Sequence, residues 1–252
     1  MYPTLFSYAP LTIHSYGVMV GIGILIAIYV LRQNAQQLGV PPNLVVDLAL
    51  FVVFLGFLGA RIFYVGLYWD YFRAAPLEII QIWKGGLVWY GGLAGGLIGF
   101  YLFTWFKRLP LMALLDLFVP AVALAQGFGR MGCFLNGCCF GIKTNVPWAV
   151  QFPFSDHSIH PTQLYESGFC FVLAGFLFLL WRSRLRPGLV SFTYFLAYPA
   201  GRFFLEFLRG DNPHVFGGLT RPQLVSLGVV VVSAVLFTIW SSYGAARVRR
   251  TS

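Results

Sequence analysis

Seven apolar stretches divide this chain from end to end, and each is close to the roughly 20 residues a helix needs to cross a hydrocarbon core. They run over 16–32, 44–69, 87–106, 111–135, 167–181, 189–208 and 223–242. The fifth is short and can begin earlier; the second is long enough to tilt or protrude. Backbone polar groups in lipid must be satisfied inside the segment, so such runs are read as helices. The expectation is an all-α, polytopic membrane protein of about seven spans, one membrane domain over 1–252. Composition agrees, because only 10% of the 252 residues are charged, against about 25% in a soluble domain. The longest non-spanning stretches, about 70–86 and 137–166, leave no room for a soluble domain. Connections of that length in a compact protein are usually functional.

The charges orient the spans. Arg32, Lys107, Arg108, Arg182, Arg184, Arg186, Arg247, Arg249 and Arg250 follow spans one, three, five and seven, with no acid among them. On the other side Arg73, Lys84, Lys143, Arg209 and Arg221 face Asp70, Glu78, Asp156, Glu166 and Asp211. Basic residues stay on the cytoplasmic side, so the N-terminus is expected outside and the C-terminus inside. The net charge of +9 follows from this topology, and the basic tail points to anionic lipid headgroups rather than to nucleic acid. No basic leader or small-residue cleavage site is evident, so span one reads as an uncleaved anchor.

Six ionisable residues lie within the spans: Asp47, Arg61, Asp116, Arg130, Arg202 and Glu206. Intramembrane charges are costly and mark ion pairs or sites. Asp47 and Asp116 are read as internal ion pairs. Arg61, Arg130 and Arg202 all fall in outer halves, where converging guanidinium forks suit a phosphate. Tyr198, Arg202 and Glu206 share one helix face by their spacing of four, and Pro199 and Gly201 beside them favour a site over plain packing. Around Arg130, the segment 126–141 adds an asparagine, three cysteines and several glycines. Gly91, Gly95 and Gly99, with Gly92 and Gly96, make small-residue faces for close helix packing. Tyr90 is either an interfacial aromatic or a hydroxyl at the site. His160 opens a polar run, His160-Pro161-Thr162-Gln163-Leu164-Tyr165-Glu166, at the mouth of a span. Cys133, Cys138 and Cys139 have neither zinc-knuckle nor C-x-x-C spacing, so no metal and no cofactor are expected. A disulfide on the outer face and packed apolar thiols both remain open.

The segment Gly129-Arg130-Met131-Gly132-Cys133-Phe134-Leu135-Asn136-Gly137-Cys138-Cys139-Phe140-Gly141 resembles the signature of the bacterial prolipoprotein diacylglyceryl transferases, roughly G-R-x-G-N-F-x-N-x-E-x-x-G. The likeness runs along the chain. His14-Ser15-Tyr16-Gly17, Gly59-Ala60-Arg61, Trp83-Lys84-Gly85-Gly86, Tyr90-Gly91-Gly92-Leu93, His160 to Glu166, and Gly201-Arg202 with Glu206-Phe207 and Arg209 all match family landmarks. The resemblance implies transfer of diacylglycerol from phosphatidylglycerol to the lipobox cysteine thiol of a prolipoprotein. A thioether forms and glycerol-1-phosphate leaves. It implies an enzyme of the bacterial inner membrane that meets lipids and signal peptides; a monomer is expected. By similarity Arg130 contacts the headgroup and Arg202 is the second essential cation. Tyr16, Asn136 and Gly141 fall on family site positions.

Three departures concern the acid–base half of the expected site. Tyr90 stands where many members carry a histidine. Cys133 replaces the first asparagine of the signature, and Cys138 replaces its glutamate. The cationic half is complete. A phospholipid-binding paralogue without transfer is the alternative reading. A thiol oxidoreductase lacks a C-x-x-C motif, and a transporter lacks an evident pair of repeats.

Overall fold

In the computed structural model, residues 3–8, 11–82, 85–153 and 155–248 are described. All seven apolar runs are helical. In chain order the helices are α1 (Ser15–Asn34), α2 (Pro42–Leu67), the short α3 (Trp69–Ala74), α4 (Trp89–Phe106), α5 (Leu111–Asn136), α6 (Thr162–Arg182), α7 (Leu189–Glu206) and α8 (Arg221–Val248). Five stretches, Ser15–Leu38, Pro42–Leu67, Leu111–Asn136, Thr162–Arg182 and Arg221–Ser242, are long and apolar enough to cross a membrane. The other two, α4 and α7, have 18 residues each. Glycine dilutes the hydropathy of the first, and Pro199, Arg202 and Glu206 dilute that of the second. The fifth apolar run does begin earlier than its hydropathy shows, at Thr162 directly after Pro161, because the polar first turn is helical too. Proline also opens α2 at Pro42, where its missing N–H costs nothing. Large apolar side chains such as Leu25, Phe54, Ile62, Val172 and Val231 point outward, as lipid-facing surface requires.

The chain packs as two compact units, residues 31–114 and residues 1–30 with 115–252. In the unit of 31–114, α2 and α4 approach through glycine. A Cβ on Gly95 would stand 3.0 Å from the Leu55 carbonyl carbon, and one on Gly59 would stand 3.0 Å from the Gly95 Cα. Side chains there would force the backbones apart, which is the reason for a small-residue face.

The other unit opens with an antiparallel hairpin, β1 (Thr4–Tyr8) and β2 (Leu11–His14), which leads into α1. Short two-stranded pairs follow α5 and α7: β3 (Val150–Gln151) with β4 (Ser158–Ile159), and β5 (His214–Phe216) with β6 (Leu219–Thr220). Asp116 corrects one expectation. It forms no ion pair among the described residues and instead caps a helix. Its carboxylate accepts bonds from the Gly188 N–H at 2.6 Å, the Ser191 N–H at 2.8 Å and the Ser191 hydroxyl at 2.6 Å. It thereby satisfies the orphan donors that begin α7 and meets the positive end of its dipole. Asp47, also read as an internal pair, is exposed and has no ion pair among the described residues.

Asp116→Ala would leave those buried donors without an acceptor. Its expected cost is about 3 kcal/mol, read as a lowered thermal midpoint of the detergent-solubilised protein. A change below about 0.5 kcal/mol, the range of ordinary surface substitutions, would show that this carboxylate does not hold α7.

Candidate active site

The polar residues of α5, α6 and α7 meet at a carboxylate that its place in the sequence marks only as one outer charge among several. Glu166 lies one turn into α6 and is 3% exposed. Its Oε1 is 3.1 Å from Arg130 Nε and 3.8 Å from Arg202 Nε. It also accepts the Tyr198 hydroxyl at 3.0 Å. A buried carboxylate persists only when paired and hydrogen-bonded, and this one has two guanidinium groups and a phenol. The predicted α7 face is present and extends one turn further back. Tyr194 stacks on Tyr198 with ring centroids 5.7 Å apart, and its hydroxyl donates to Gln126 Oε1 at 2.9 Å. Pro199 lies inside a continuous α7. Gly201 serves packing, since a Cβ there would stand 2.5 Å from Phe169 Cε1.

Beyond Arg202 the charges continue to alternate. Arg202 Nη1 pairs with Glu206 Oε2 at 2.6 Å. Glu206 Oε1 accepts from Thr220 at 2.8 Å and from Asn212 at 2.7 Å. Arg209 Nε is 3.7 Å from Glu206 Oε2, and its fork binds Asp211 at 2.8 and 2.6 Å. The ladder is therefore Arg130, Glu166, Arg202, Glu206, Arg209, Asp211. Glu206 is enclosed by donors and organises the ladder from within. Arg130 sits at its open end with a side chain 24% exposed, against 11% for Arg202. Nε is the Arg130 atom closest to Glu166, and the terminal nitrogens of Arg130 make no hydrogen bond among the described residues. A guanidinium held at one edge and free at the other is oriented to accept an anion.

α5 continues past Arg130 to Asn136, and there the chain turns. Gly137, at φ 78°, lies in the left-handed region. Its N–H donates to the Phe134 carbonyl, and the Cys138 N–H donates to the Cys133 carbonyl at 3.2 Å. This pair of bonds is a Schellman closure, which brings the side chains at its two ends together; here they are Cys133 and Cys138. Cys139 is left-handed as well, at φ 63°. Gln163 and Thr162, from the first turn of α6, donate to the Cys138 and Cys139 carbonyls at 2.6 and 2.9 Å. The three sulfurs lie within 4.8 Å of one another. Hydrogen bonds from the Cys133 and Cys138 thiols, with the charges of Arg209 and Arg130, hold the Cys139 thiol well below its ordinary range.

The other expected residues of this unit lie around the turn. Asn136 ends α5, with its side chain against the Cys138 thiol. Tyr16, half-exposed, starts α1 where Gly132 permits contact; a Cβ on Gly132 would be 3.2 Å from the Tyr16 Cα. Gly141 lies under His160 and the Leu208 carbonyl. A Cβ on it would stand 2.6 Å from the His160 Cβ, so no larger residue fits. Its N–H donates to the His160 carbonyl at 3.1 Å. The His160 ring meets the Tyr165 hydroxyl at 3.2 Å, and Trp148 donates to that hydroxyl at 2.6 Å.

Arg61 and Tyr90 belong to the unit of 31–114. Arg61 departs from expectation. Rather than presenting its fork to phosphate, it donates to the carbonyls of Glu78, Ile79, Gly85 and Gly86 at 2.6–3.0 Å. It also lies over the rings of Tyr64 and Phe72. Tyr90 is exposed near the start of α4, edge-on to Trp89. Trp83 and Lys84, part of the family likeness, and the tail arginines Arg249 and Arg250 lie outside the described residues.

Comparison with known proteins accords with this arrangement. The family model described as prolipoprotein diacylglyceryl transferase matches residues 3–239. The phosphatidylglycerol–prolipoprotein diacylglyceryl transferase of Clostridium tetani is 39% identical over 246 residues, covering 95% of this chain and 98% of the relative. Proteins of the same name from Synechococcus elongatus and Bacillus cytotoxicus are 34% and 32% identical, each covering 94% of this chain and 86% and 91% of their own. With its family signature carried on the turn that follows Arg130, and matched over nearly its whole length, this chain belongs to the prolipoprotein diacylglyceryl transferase family.

Proposed function

We propose that this protein transfers the diacylglyceryl group of phosphatidylglycerol to the cysteine thiol of a lipobox, the first step of bacterial lipoprotein maturation. The observation that carries the reading is Arg130, fixed by Glu166 through Nε and free at its terminal nitrogens. The substrate thiol attacks the glyceryl carbon that bears the phosphate. A C–S bond forms, the C–O bond breaks, the electron pair leaves with glycerol-1-phosphate, and the thiol proton passes to that phosphate or to water. Negative charge grows on the phosphate oxygens as that bond breaks, so a guanidinium aimed at them lowers the barrier. Glu166 and Tyr198 orient Arg130 and Arg202, while Glu206 anchors Arg202 from the interior. Tyr16, Asn136, Gly141 and His160 form the surrounding wall. With seven crossings of the inner membrane and the N-terminus outside, this cluster lies toward the outer leaflet, where lipid and signal peptide arrive laterally. The protein works as a monomer.

The test is membranes containing the protein, phosphatidylglycerol and a lipobox peptide, with mass spectrometry for the diacylglyceryl adduct. An adduct from the wild-type protein supports transfer. Lipid retained without any adduct, beside an active control enzyme, would assign the chain to lipid binding alone. Tyr90→His is expected to raise the transfer rate at least about tenfold near pH 7, because an imidazole accepts a proton there. An unchanged pH–rate profile would show that position 90 handles no proton.

A further inference from the structure

Three thiols clustered beside the arginine ladder are not used by the transfer reaction. Their spacing in sequence is unlike a metal knuckle, yet the Schellman closure of α5 joins Cys133 to Cys138, and the left-handed Cys139 returns its sulfur to the same point. All three Sγ atoms fall within 4.8 Å. A d10 ion bound by three thiolates at about 2.3 Å separates its sulfurs by about 3.8–4.0 Å. The cluster is therefore close to coordination geometry before any ion arrives.

The turn is also held in place. Left-handed backbone costs a residue with a Cβ about 1–2 kcal/mol, and such strain persists only where the surroundings enforce it. Here Gln163 and Thr162, both buried, pin the carbonyls of Cys138 and Cys139. Cys133 is buried, whereas Cys138 and Cys139 are half-buried, which leaves a way in for an ion.

We propose that Cys133, Cys138 and Cys139 form a three-thiolate binding site for a thiophilic d10 cation, of which Cu(I) and Zn(II) are the two sources. This inference does not rest on the transfer reaction, and its readout is binding rather than turnover.

The full-length protein, reduced and held in detergent, is titrated separately with Cu(I) and Zn(II) against chromophoric chelators. The expected result is one tightly bound ion per chain. Cys138→Ser and Cys139→Ser each weaken it by about a hundredfold or more, while Cys170→Ser, which removes a thiol outside the cluster, leaves it unchanged. Preference for one ion identifies the source. Because a substituted turn can misfold, the wild-type protein supplies a second measurement. Bound ion should protect the half-buried Cys138 and Cys139 from maleimide relative to the ion-free protein, read by peptide mass spectrometry. Absence of stoichiometric binding by either ion, or binding that survives both substitutions, would overturn the site. So would a disulfide within the cluster together with no binding after its reduction, which would assign the thiols to redox chemistry.

Discussion

Arg130→Ala is expected to lower the rate of diacylglyceryl transfer by about a hundred- to a thousandfold, the usual cost of removing a donor aimed at developing negative charge. Arg130 is the most exposed of the ladder's three cations, at 24% against 11% for Arg202 and 8% for Arg209. Its loss also leaves Glu166 with Arg202 and Tyr198 as partners, so the buried carboxylate stays compensated and the fold is expected to survive. Arg130→Lys keeps the charge but not the planar fork, and should recover only part of the rate. Adduct formation by quantitative mass spectrometry, at matched protein levels in membranes, checks both. Loss of less than about fivefold in Arg130→Ala would remove this residue from the transition state.

Glu166→Gln is expected to be as damaging to activity and far more damaging to stability. Glutamine preserves size and one acceptor but removes the charge that two guanidinium groups share. Breaking a buried ion pair from one side costs about 3–5 kcal/mol, because the remaining charge is left uncompensated. Thermal unfolding in detergent reads that loss. Activity measured well below the midpoint then separates a positioning role from simple unfolding. A freed Arg130 should raise KM for the lipid as well as lower kcat. A variant with the wild-type midpoint would mean that Arg130 and Arg202 do not need this carboxylate.

The helices are legible because membrane length is written directly in hydropathy. Their ends are less so. The first turn of α6 is polar and reads as the mouth of a span, so Glu166 is legible as an outer charge and a family landmark but not as the partner of Arg130 and Arg202. It looks like one acid in a balanced outer segment, while its partners lie 36 and 36 positions away on either side, at Arg130 and Arg202. The equal spacing carries no signal of its own. Arg61 misleads for a different reason. Its partners are carbonyls, which every residue possesses, so nothing in the sequence distinguishes an arginine that collars a loop from one that awaits phosphate. The shared face of Tyr198, Arg202 and Glu206 is readable because helical periodicity alone generates it. The three sulfurs are readable in principle. Cys133 and Cys138 with glycine between them at position 137 are the end pattern of a Schellman turn, although the closing position of Cys139 depends on bonds from Gln163 and Thr162.

Three arginines and three carboxylates alternate from Arg130 to Asp211, and their formal charges sum to zero. A pocket of surplus cations would grip a phosphate monoester hardest after the bond had broken, when the departing group carries its full charge. Such a pocket would perform one round and stall. Here each cation of the ladder already answers to an acid, which in the proposed transfer discounts its hold on the finished product. On the proposed reaction, the neutrality of the ladder is what allows glycerol-1-phosphate to depart and the next lipid to enter.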